Sequence, residues 1–308
     1  MGHKIAIIIP AYKSRFLRQT LDSMAAQTCR DFAVYVGDDA SPEPLEPIVR
    51  AYEGKLSVTY HRFAENLGGR DLVAHWERCI ALSREPLVWL FSDDDLLPPD
   101  GVERVLAAAG RYGTEKVFFR LPLIVVDAEG QQKLANPPLS EGKTSDYAFL
   151  LDKLNGRISS AAIEYVFSRD VWRVSGGFVK FPLAWCSDDA TWARFARYAG
   201  GMTSVPGAPV CWRNAEGENI SNSSRFDREK LCATTQFIRW IARTYECRKG
   251  DSALAGALGR YAHTILRCSV RGNFGLSDLL RLCAALGKIS PSAAGYVCLR
   301  HLFHIKRL

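Results

Sequence analysis

The feature that most constrains this 308-residue chain is an alternation within its first 121 residues: short, nearly unbroken apolar runs separated by segments of helical spacing. The runs "KIAIII" (4–9), "FAVYVG" (32–37), "SVTYHR" (57–62), "PLVWLF" (86–91) and "KVFFRL" (116–121) are short and rich in β-branched and aromatic residues, so they read as strands. A strand without polar alternation is buried on both faces, as in a parallel sheet covered by helices. Between the runs, "RFLRQTLDSMAAQ" puts Phe16, Leu17, Leu21, Met24 and Ala25 on one helical face. "LEPIVRAY" reads as a short helix, and "LVAHWERCIAL" aligns Leu72, Trp76, Cys79 and Ile80. "PDGVERVLAAAG" opens with Pro and acids and closes on Gly, the usual helix start and stop. The pattern predicts an α/β domain with a mostly parallel sheet, whose ligands sit beyond the carboxyl ends of the strands.

Those ends carry the unusual residues. The first strand ends in Pro10, Ala11 and Tyr12, and the second in Asp38, Asp39, Ala40 and Ser41. The third leads into Glu65, Asn66, Leu67, Gly68, Gly69 and Arg70, and the fourth ends in Ser92, Asp93, Asp94 and Asp95. A parallel sheet brings all four groups to one edge. Three adjacent carboxylates repel one another unless a cation or bound donors neutralise them. Hard oxygen donors suit Mg²⁺ or Mn²⁺, ions that usually bridge one or two carboxylates to substrate phosphates. An acidic turn capping the helix that begins near Pro98 is the simpler reading of the same residues. No G-x-G-x-x-G follows the first strand and no glycine-rich GK[ST] loop exists, which argues against a dinucleotide dehydrogenase and a P-loop phosphotransferase.

From about residue 225 the sequence reads as helical throughout, so two domains are expected, 1–225 and 226–308. Hydrophobic residues make up 47% of the chain, yet no apolar run approaches the length of a membrane span. The N-terminus lacks a signal-peptide cleavage region, and the nine cysteines are odd in number and nowhere spaced as CxxC. A cytoplasmic protein is expected, in which the sequons at Asn219 and Asn222 carry no glycan. The net charge of +7 lies in residues 260–308, which hold eight Lys/Arg and one acid. Interleaved with them are Leu279, Leu280, Leu282, Val297, Leu299, Leu302 and Phe303. An anionic membrane surface is one expectation for this end, helices packed with solvated basic faces the other. No nucleic-acid motif accompanies the charge.

The stretch "IAIIIPAYKSRFLRQTLDSMAAQTCRDFAVYVGDDAS", followed by "ENLGG" and "FSDDDLLPPD", resembles the family 2 glycosyltransferases of GT-A fold. The resemblance implies a Rossmann-like, mostly parallel sheet flanked by helices, here with a C-terminal all-helical extension. It also implies a nucleotide-diphosphate sugar donor, a UDP-sugar first, and a divalent cation, Mn²⁺ or Mg²⁺. Carried over by position, Pro10, Ala11 and Tyr12 line the base pocket, with Tyr12 stacked on the ring. Asp39, or less strongly Asp38, accepts from the base N3–H. Asn66 and Gly68 keep the E-N-x-G loop, but the usual A-R-N positions hold Leu72, Val73 and Ala74, which leaves Arg70 as the nearby cation for the diphosphate. In the metal motif the first Asp is replaced by Ser92. Asp94 then matches the principal metal contact, Asp95 supports it, and Asp93 lies near ribose or diphosphate.

The resemblance further implies a general base opening a helix, for which "LAWCSDDATWARFARYAG" offers Asp188 or Asp189. Alignment on Trp192 and Arg194 selects Asp188; alignment on the acidic pair selects Asp189. Trp185 is a candidate sugar-stacking wall, and Arg213, Asn219 and Ser221 lie where relatives carry a lid. The Q-x-x-R-W string at Gln236–Trp240 fits an amphipathic helix with Leu231, Phe237, Ile238 and Ile241 inward. The reaction implied is inverting, non-processive transfer of a hexose to a glycan or polyprenyl-linked acceptor, at the inner face of a membrane. The alternatives are a nucleotide-sugar-binding partner subunit without activity and, less favoured, a sugar-phosphate nucleotidyltransferase, for which the loop "PAYKSRF" lacks glycines.

Overall fold

A computed structural model describes residues 2–215, 224–248, 250–270 and 274–302. The chain divides into two units. One comprises Met1–Asp146, Ser159–Phe178 and Thr191–Ala215; the other comprises Tyr147–Ile158, Val179–Ala190 and Glu216–Leu308. The second unit thus holds two segments from before residue 225 as well as the helical C-terminal part.

The first unit alternates as the apolar runs require: β1 (Ile5–Ala11), α1 (Leu17–Ala25), β2 (Phe32–Asp38), α2 (Leu45–Arg50), β3 (Val58–Arg62), α3 (Gly68–Ile80), β4 (Leu87–Leu90), α4 (Gly101–Tyr112) and β5 (Phe118–Arg120). β1 is flanked by β2 and β4, and β3 lies outside β2, all parallel. β1 and β4 are the unbroken apolar runs and are buried on both faces, whereas β3, an edge strand, exposes Thr59, His61 and Arg62. Later segments add β6 (Leu123–Val126), β7 (Gln132–Ala135), β8 (Lys143–Thr144), β9 (Tyr165–Ser168), β10 (Met202–Ser204) and β11 (Val210–Arg213). β9 inserts antiparallel between β4 and β5, giving an eight-stranded sheet in the order β3-β2-β1-β4-β9-β5-β10-β8. A small second sheet, β11-β6-β7, pairs β11 parallel to β6. One core runs through this unit from Ile5 to Val210, with Trp89 fully buried and its Nε1 donating to the Ile163 carbonyl at 2.7 Å.

Three further helices follow α4 in the chain, α5 (Asp146–Leu154), α6 (Arg169–Val174) and α7 (Ser187–Ala199). The second unit has its own core, formed by α8 (Asp227–Thr244), α9 (Ser252–Thr264), α10 (Leu276–Gly287), α11 (Pro291–Leu302) and residues 147–154 of α5. Leu231, Phe237, Ile238 and Ile241 face inward, so the Q-x-x-R-W string lies on an ordinary amphipathic helix. Among the described residues no helix is long and apolar enough to cross a membrane. One expectation needs correction. Leu279, Leu282 and Val297 are completely buried, because the apolar periodicity of α10 and α11 serves the unit's own core. Of the leucines offered for a membrane face, Leu280 and Leu299 are exposed, while Phe303 and the side chain of Leu302 lie outside the description. The sequons at Asn219 and Asn222 and the loop residue Ser221 also fall outside it.

Candidate functional site

Parallel pairing of β1 to β4 brings the four polar clusters to one edge of the first unit. Backbone bonds knit them together: Asp39 N–H donates to the Ala11 carbonyl at 2.9 Å, and the Ser41 hydroxyl to the Tyr12 carbonyl at 2.6 Å. Ser23, Gln27 and Thr28, at and just beyond the end of α1, have a structural role here. Gln27 donates to the Pro98 carbonyl and accepts from Val102 N–H, Thr28 N–H donates to the Pro99 carbonyl, and the Ser23 hydroxyl accepts from Leu97 N–H. These bonds hold the segment that follows the aspartates.

The three aspartates have separate surroundings. Asp93 Oδ2 accepts from the backbone N–H of Tyr12 and of Lys13, each at 2.8 Å, and so fixes the loop after β1. Asp95 is buried and its Oδ1 accepts from Arg213 N–H at 2.7 Å, which ties it to β11. Asp94 stands between them. Burial, then the charge of Asp93, pushes its carboxyl up to about 6 against the pull of the Ser92 hydroxyl, Lys13 and Arg213. Asp93 is also raised, chiefly by burial, and Asp95 well above the usual carboxylate range by burial and then by Asp94. Among the described residues no group of three or more His, Cys, Asp or Glu cages a metal. Asp93 and Asp95 each spend an oxygen on backbone N–H groups, which leaves one or two carboxylates that a hard cation could share with a substrate's phosphates.

Arg213 requires a second correction. The sequence places it in a lid; the structure buries it at the end of β11. Its Nε donates to the Asp94 carbonyl at 2.9 Å, Nη1 to the Ala128 carbonyl at 2.7 Å and Nη2 to Gln19 Oε1 at 2.8 Å, and the guanidinium lies 4.2 Å from the centre of the Phe16 ring. It is a fixed strut beneath the aspartates, with its donors spent on protein.

On the nucleotide side, Pro10 and Ala11 are the last paired residues of β1, and Tyr12 is 42% exposed, its ring open for stacking. Asp38 is fully buried and accepts from Ser41 N–H at 2.7 Å, the Tyr60 hydroxyl at 2.5 Å and Arg62 Nη1 at 2.7 Å. These bonds turn its carboxylate inward and leave a ligand no access to it, which corrects its assignment to the base. Asp39 Oδ1 accepts from Leu67 N–H at 2.8 Å and from Arg78, and Oδ2 from Gly68 N–H at 2.8 Å and Asn66 Nδ2 at 2.9 Å. The roughly four lone-pair sites of a carboxylate are then filled, so a base N–H gains Asp39 only by displacing a side-chain donor. Gly68 is required here: a Cβ would stand 2.6 Å from Asp39 Oδ2. Arg70 pairs with Glu65 at 2.9 Å, with both side chains about two-thirds exposed. Such pairs are weak, so Arg70 can swing to an anion. Arg78, which the sequence reading passed over, also donates to the Glu65 carbonyl and lies 3.8 Å from the centre of the Phe63 ring. Its Nε donates to His75, a buried imidazole that burial holds down to about 4.

Asp188 and Asp189 belong to the second unit and open the helix Ser187–Ala199. Asp189 is buried, with Lys153 Nζ 3.2 Å from its Oδ1. Burial, then the charge of Asp189, pushes Asp188 up to about 7, with Lys153 opposing. The segment before them is strained: Leu183, Ala184 and Cys186 have φ of 60°, 56° and 63°, left-handed values that non-glycine residues seldom adopt. Trp185 in that segment donates through Nε1 to the Thr234 hydroxyl at 3.1 Å and has Lys230 Nζ 5.3 Å from its ring centre.

Residues 6–157 match the family model described as glycosyl transferase family 2. Over 116 residues the chain is 36% identical to validoxylamine A glucosyltransferase of Streptomyces hygroscopicus subsp. jinggangensis (strain 5008), an alignment covering 37% of this chain and 27% of that protein. It is 28% identical over 115 residues to an uncharacterized glycosyltransferase of Rickettsia typhi, covering 37% and 34%. The chain thus spans about a quarter to a third of the length of these curated relatives. Among solved structures, Staphylococcus aureus TarS 1–349 in complex with UDP-GlcNAc superposes with a TM-score of 0.69 at 15% identity, covering 99% of this chain and 87% of that one. The mannosyltransferase PcManGT from Pyrobaculum calidifontis, in complex with GDP-Man and Mn²⁺, gives a TM-score of 0.51 at 16% identity, covering 99% and 88%. At these identities the likeness shows the fold, which is GT-A with a helical C-terminal part.

Proposed function

The chain belongs, through its residues 6–157, to glycosyl transferase family 2, and we propose that it transfers a hexose from a UDP-sugar to a hydroxyl of a glycan or polyprenyl-linked saccharide, with inversion and one sugar per encounter. The observation that carries this reading is the arrangement at the end of β4. Asp93 and Asp95 are pinned to β1 and β11, and Asp94 is held between them in surroundings that disfavour its charge. Such a carboxylate gains most from a cation. Asp94, supported by Asp95, would hold Mn²⁺ or Mg²⁺, which when bound neutralises the charge that develops on a leaving diphosphate.

The chain's own residues supply the rest. Tyr12 stacks on the base, and Asp39 keeps the Asn66–Gly68 loop in place and meets the base edge if a side-chain donor moves aside. Arg70 leaves Glu65 for the diphosphate, and Asp93 holds the loop over which the donor lies. Asp188 takes the proton from the acceptor hydroxyl, whose oxygen bonds to the anomeric carbon as the bond from that carbon to the diphosphate breaks. The raised Asp188 carboxyl supports its choice as the base, because a base works best with a pKa near the working pH. A cytoplasmic enzyme working at a membrane face agrees with the lipid-linked acceptor.

The test is a thermal-shift panel of UDP-, GDP- and dTDP-sugars with and without Mn²⁺, joined to an assay for released nucleotide diphosphate. The expected result is the largest shift with a UDP-sugar plus Mn²⁺, and slow UDP release. Donor binding without hydrolysis or transfer to any acceptor would make the chain a binding subunit. Pyrophosphate release from UTP and a sugar phosphate would make it a nucleotidyltransferase.

A further inference from the structure

We propose that the outer face of α8 and α10 docks on an anionic phospholipid bilayer. This surface lies wholly within the helical unit and does not depend on the donor-site reading. Along α8 the exposed stripe runs Arg228, Cys232, Arg239, Arg243, with the half-buried Gln236 between, at spacings of three and four residues. α10 packs against α8, and the groove between them is lined by Cys232, Gln236, Arg239, Asp278 and Arg281. The exposed stripe of α10 runs Leu276, Leu280, Arg281, Ala284, Lys288.

Two properties of this face point to a bilayer. The first is charge. Arg228, Arg239, Arg243, Arg281 and Lys288 face solvent, against the carboxylates of Glu229 and Asp278. Asp278 is shared, 3.5 Å from both Arg228 and Arg281, and its Oδ2 also accepts from Gly275 N–H. Arg239, Arg243 and Lys288 have no carboxylate within ion-pair distance among the described residues. Guanidinium groups are weakly hydrated and shaped for phosphate oxygens. The second is the apolar component. Leu276 and Leu280 are 47% and 50% exposed, one helical turn apart, beside Arg281. A dissolved polyanion makes no use of exposed leucines. A bilayer interface takes both, with the leucines entering the acyl boundary and the cations at the headgroup phosphates. Stacking aromatics, which a single-stranded nucleic acid would use, are absent from the two stripes. The face overlaps the sequence expectation only at Leu280, Arg281 and Lys288: the α8 arginines lie before residue 260, and Leu279 and Leu282 are core.

The test is co-sedimentation of the full chain with vesicles of phosphatidylglycerol in phosphatidylcholine, and with pure phosphatidylcholine, at 50 and 500 mM salt. Binding is expected to the anionic vesicles alone and to fall steeply at high salt. Each charge removed should weaken it about fivefold, so Arg239→Gln with Arg243→Gln and Arg281→Gln loses about a hundredfold. Leu276→Ser with Leu280→Ser should also weaken it at least tenfold. All five positions are exposed, and an unchanged melting temperature confirms that the variants fold. Equal, negligible binding to both vesicles overturns the proposal. So does binding of soluble polyphosphate that depends on the arginines while vesicle binding is indifferent to the leucines, because the face is then a polyanion site.

Discussion

Replacing Asp188 by asparagine should abolish transfer and stabilise the protein, and the stabilisation should depend on pH in a defined way. The folded protein holds the Asp188 carboxyl at about 7, against an ordinary value of 3.8. Because the folded value is raised, the stability contributed by the bound proton is fully present below about pH 4 and is lost as pH rises through about 7. The rise from 3.8 to about 7 corresponds to roughly 4 kcal/mol at most. Asp188 is half-buried and keeps some contact with solvent, so about 2 kcal/mol is the figure to expect after screening. Asparagine has no such titration. The gap in stability between Asp188→Asn and wild type should therefore be smallest at pH 4.5, about a quarter of its full size, widen to neutrality and level off above pH 8, where it amounts to about 3 °C in melting temperature. Asp189→Asn should behave oppositely. It removes a carboxylate from Lys153, whose side chain is 18% exposed, and should cost about 1–3 kcal/mol at pH 8. Thermal melts of the three proteins from pH 4.5 to 8.5, read beside transfer rates, make the check. Transfer by wild type should rise with pH through about 7, and Asp188→Asn should lose on the order of 10²–10⁴ in rate with donor affinity intact. A gap that does not change with pH, or an Asp188→Asn protein less stable than wild type at pH 8, would refute the electrostatic reasoning. An active Asp188→Asn beside an inactive Asp189→Asn would move the base by one residue.

Three further outcomes follow from the donor edge. Asp94→Asn should remove most of the Mn²⁺-dependent thermal shift given by a UDP-sugar while the protein alone melts no lower than wild type, since a disfavoured charge is lost; full retention of the metal-dependent shift would move the cation elsewhere. Gly68→Ala should weaken donor binding, because its Cβ would meet Asp39 Oδ2 at 2.6 Å and displace the Asn66–Gly68 loop; titration of the variant with UDP measures the loss, and an unchanged Kd counts against the loop's role. Arg70→Ala should leave the melting temperature unchanged and lower donor affinity about tenfold, the scale of one charge-assisted hydrogen bond; an unchanged affinity returns Arg70 to its surface pair with Glu65.

What the sequence determined by itself follows from local periodicity. Unbroken apolar runs such as "KIAIII" and "PLVWLF" need burial on both faces, which requires a helix-covered parallel sheet and brings the ends of β1 to β4 to one edge. The helices after residue 225 were equally legible, since a stripe at i, i+3 and i+4 requires only a partner to pack on. What the periodicity left open was which partner. Leu279 and Leu282 on α10 look the same in sequence whether they meet a membrane or a core, and only the packed unit shows the core. Long-range pairing was likewise out of reach. Nothing near Arg213 signals that it will be buried beside residues 118 positions earlier, and nothing in "DDAS" tells that Asp38 turns inward to Tyr60 and Arg62 while Asp39 collects Arg78. The antiparallel β9 between β4 and β5 was hidden for the same reason, because an apolar strand carries no mark of its neighbours or direction. The raised carboxyl of Asp188 also belongs to the tertiary structure: it follows only when folding takes water from that side chain and holds the charge of Asp189 beside it.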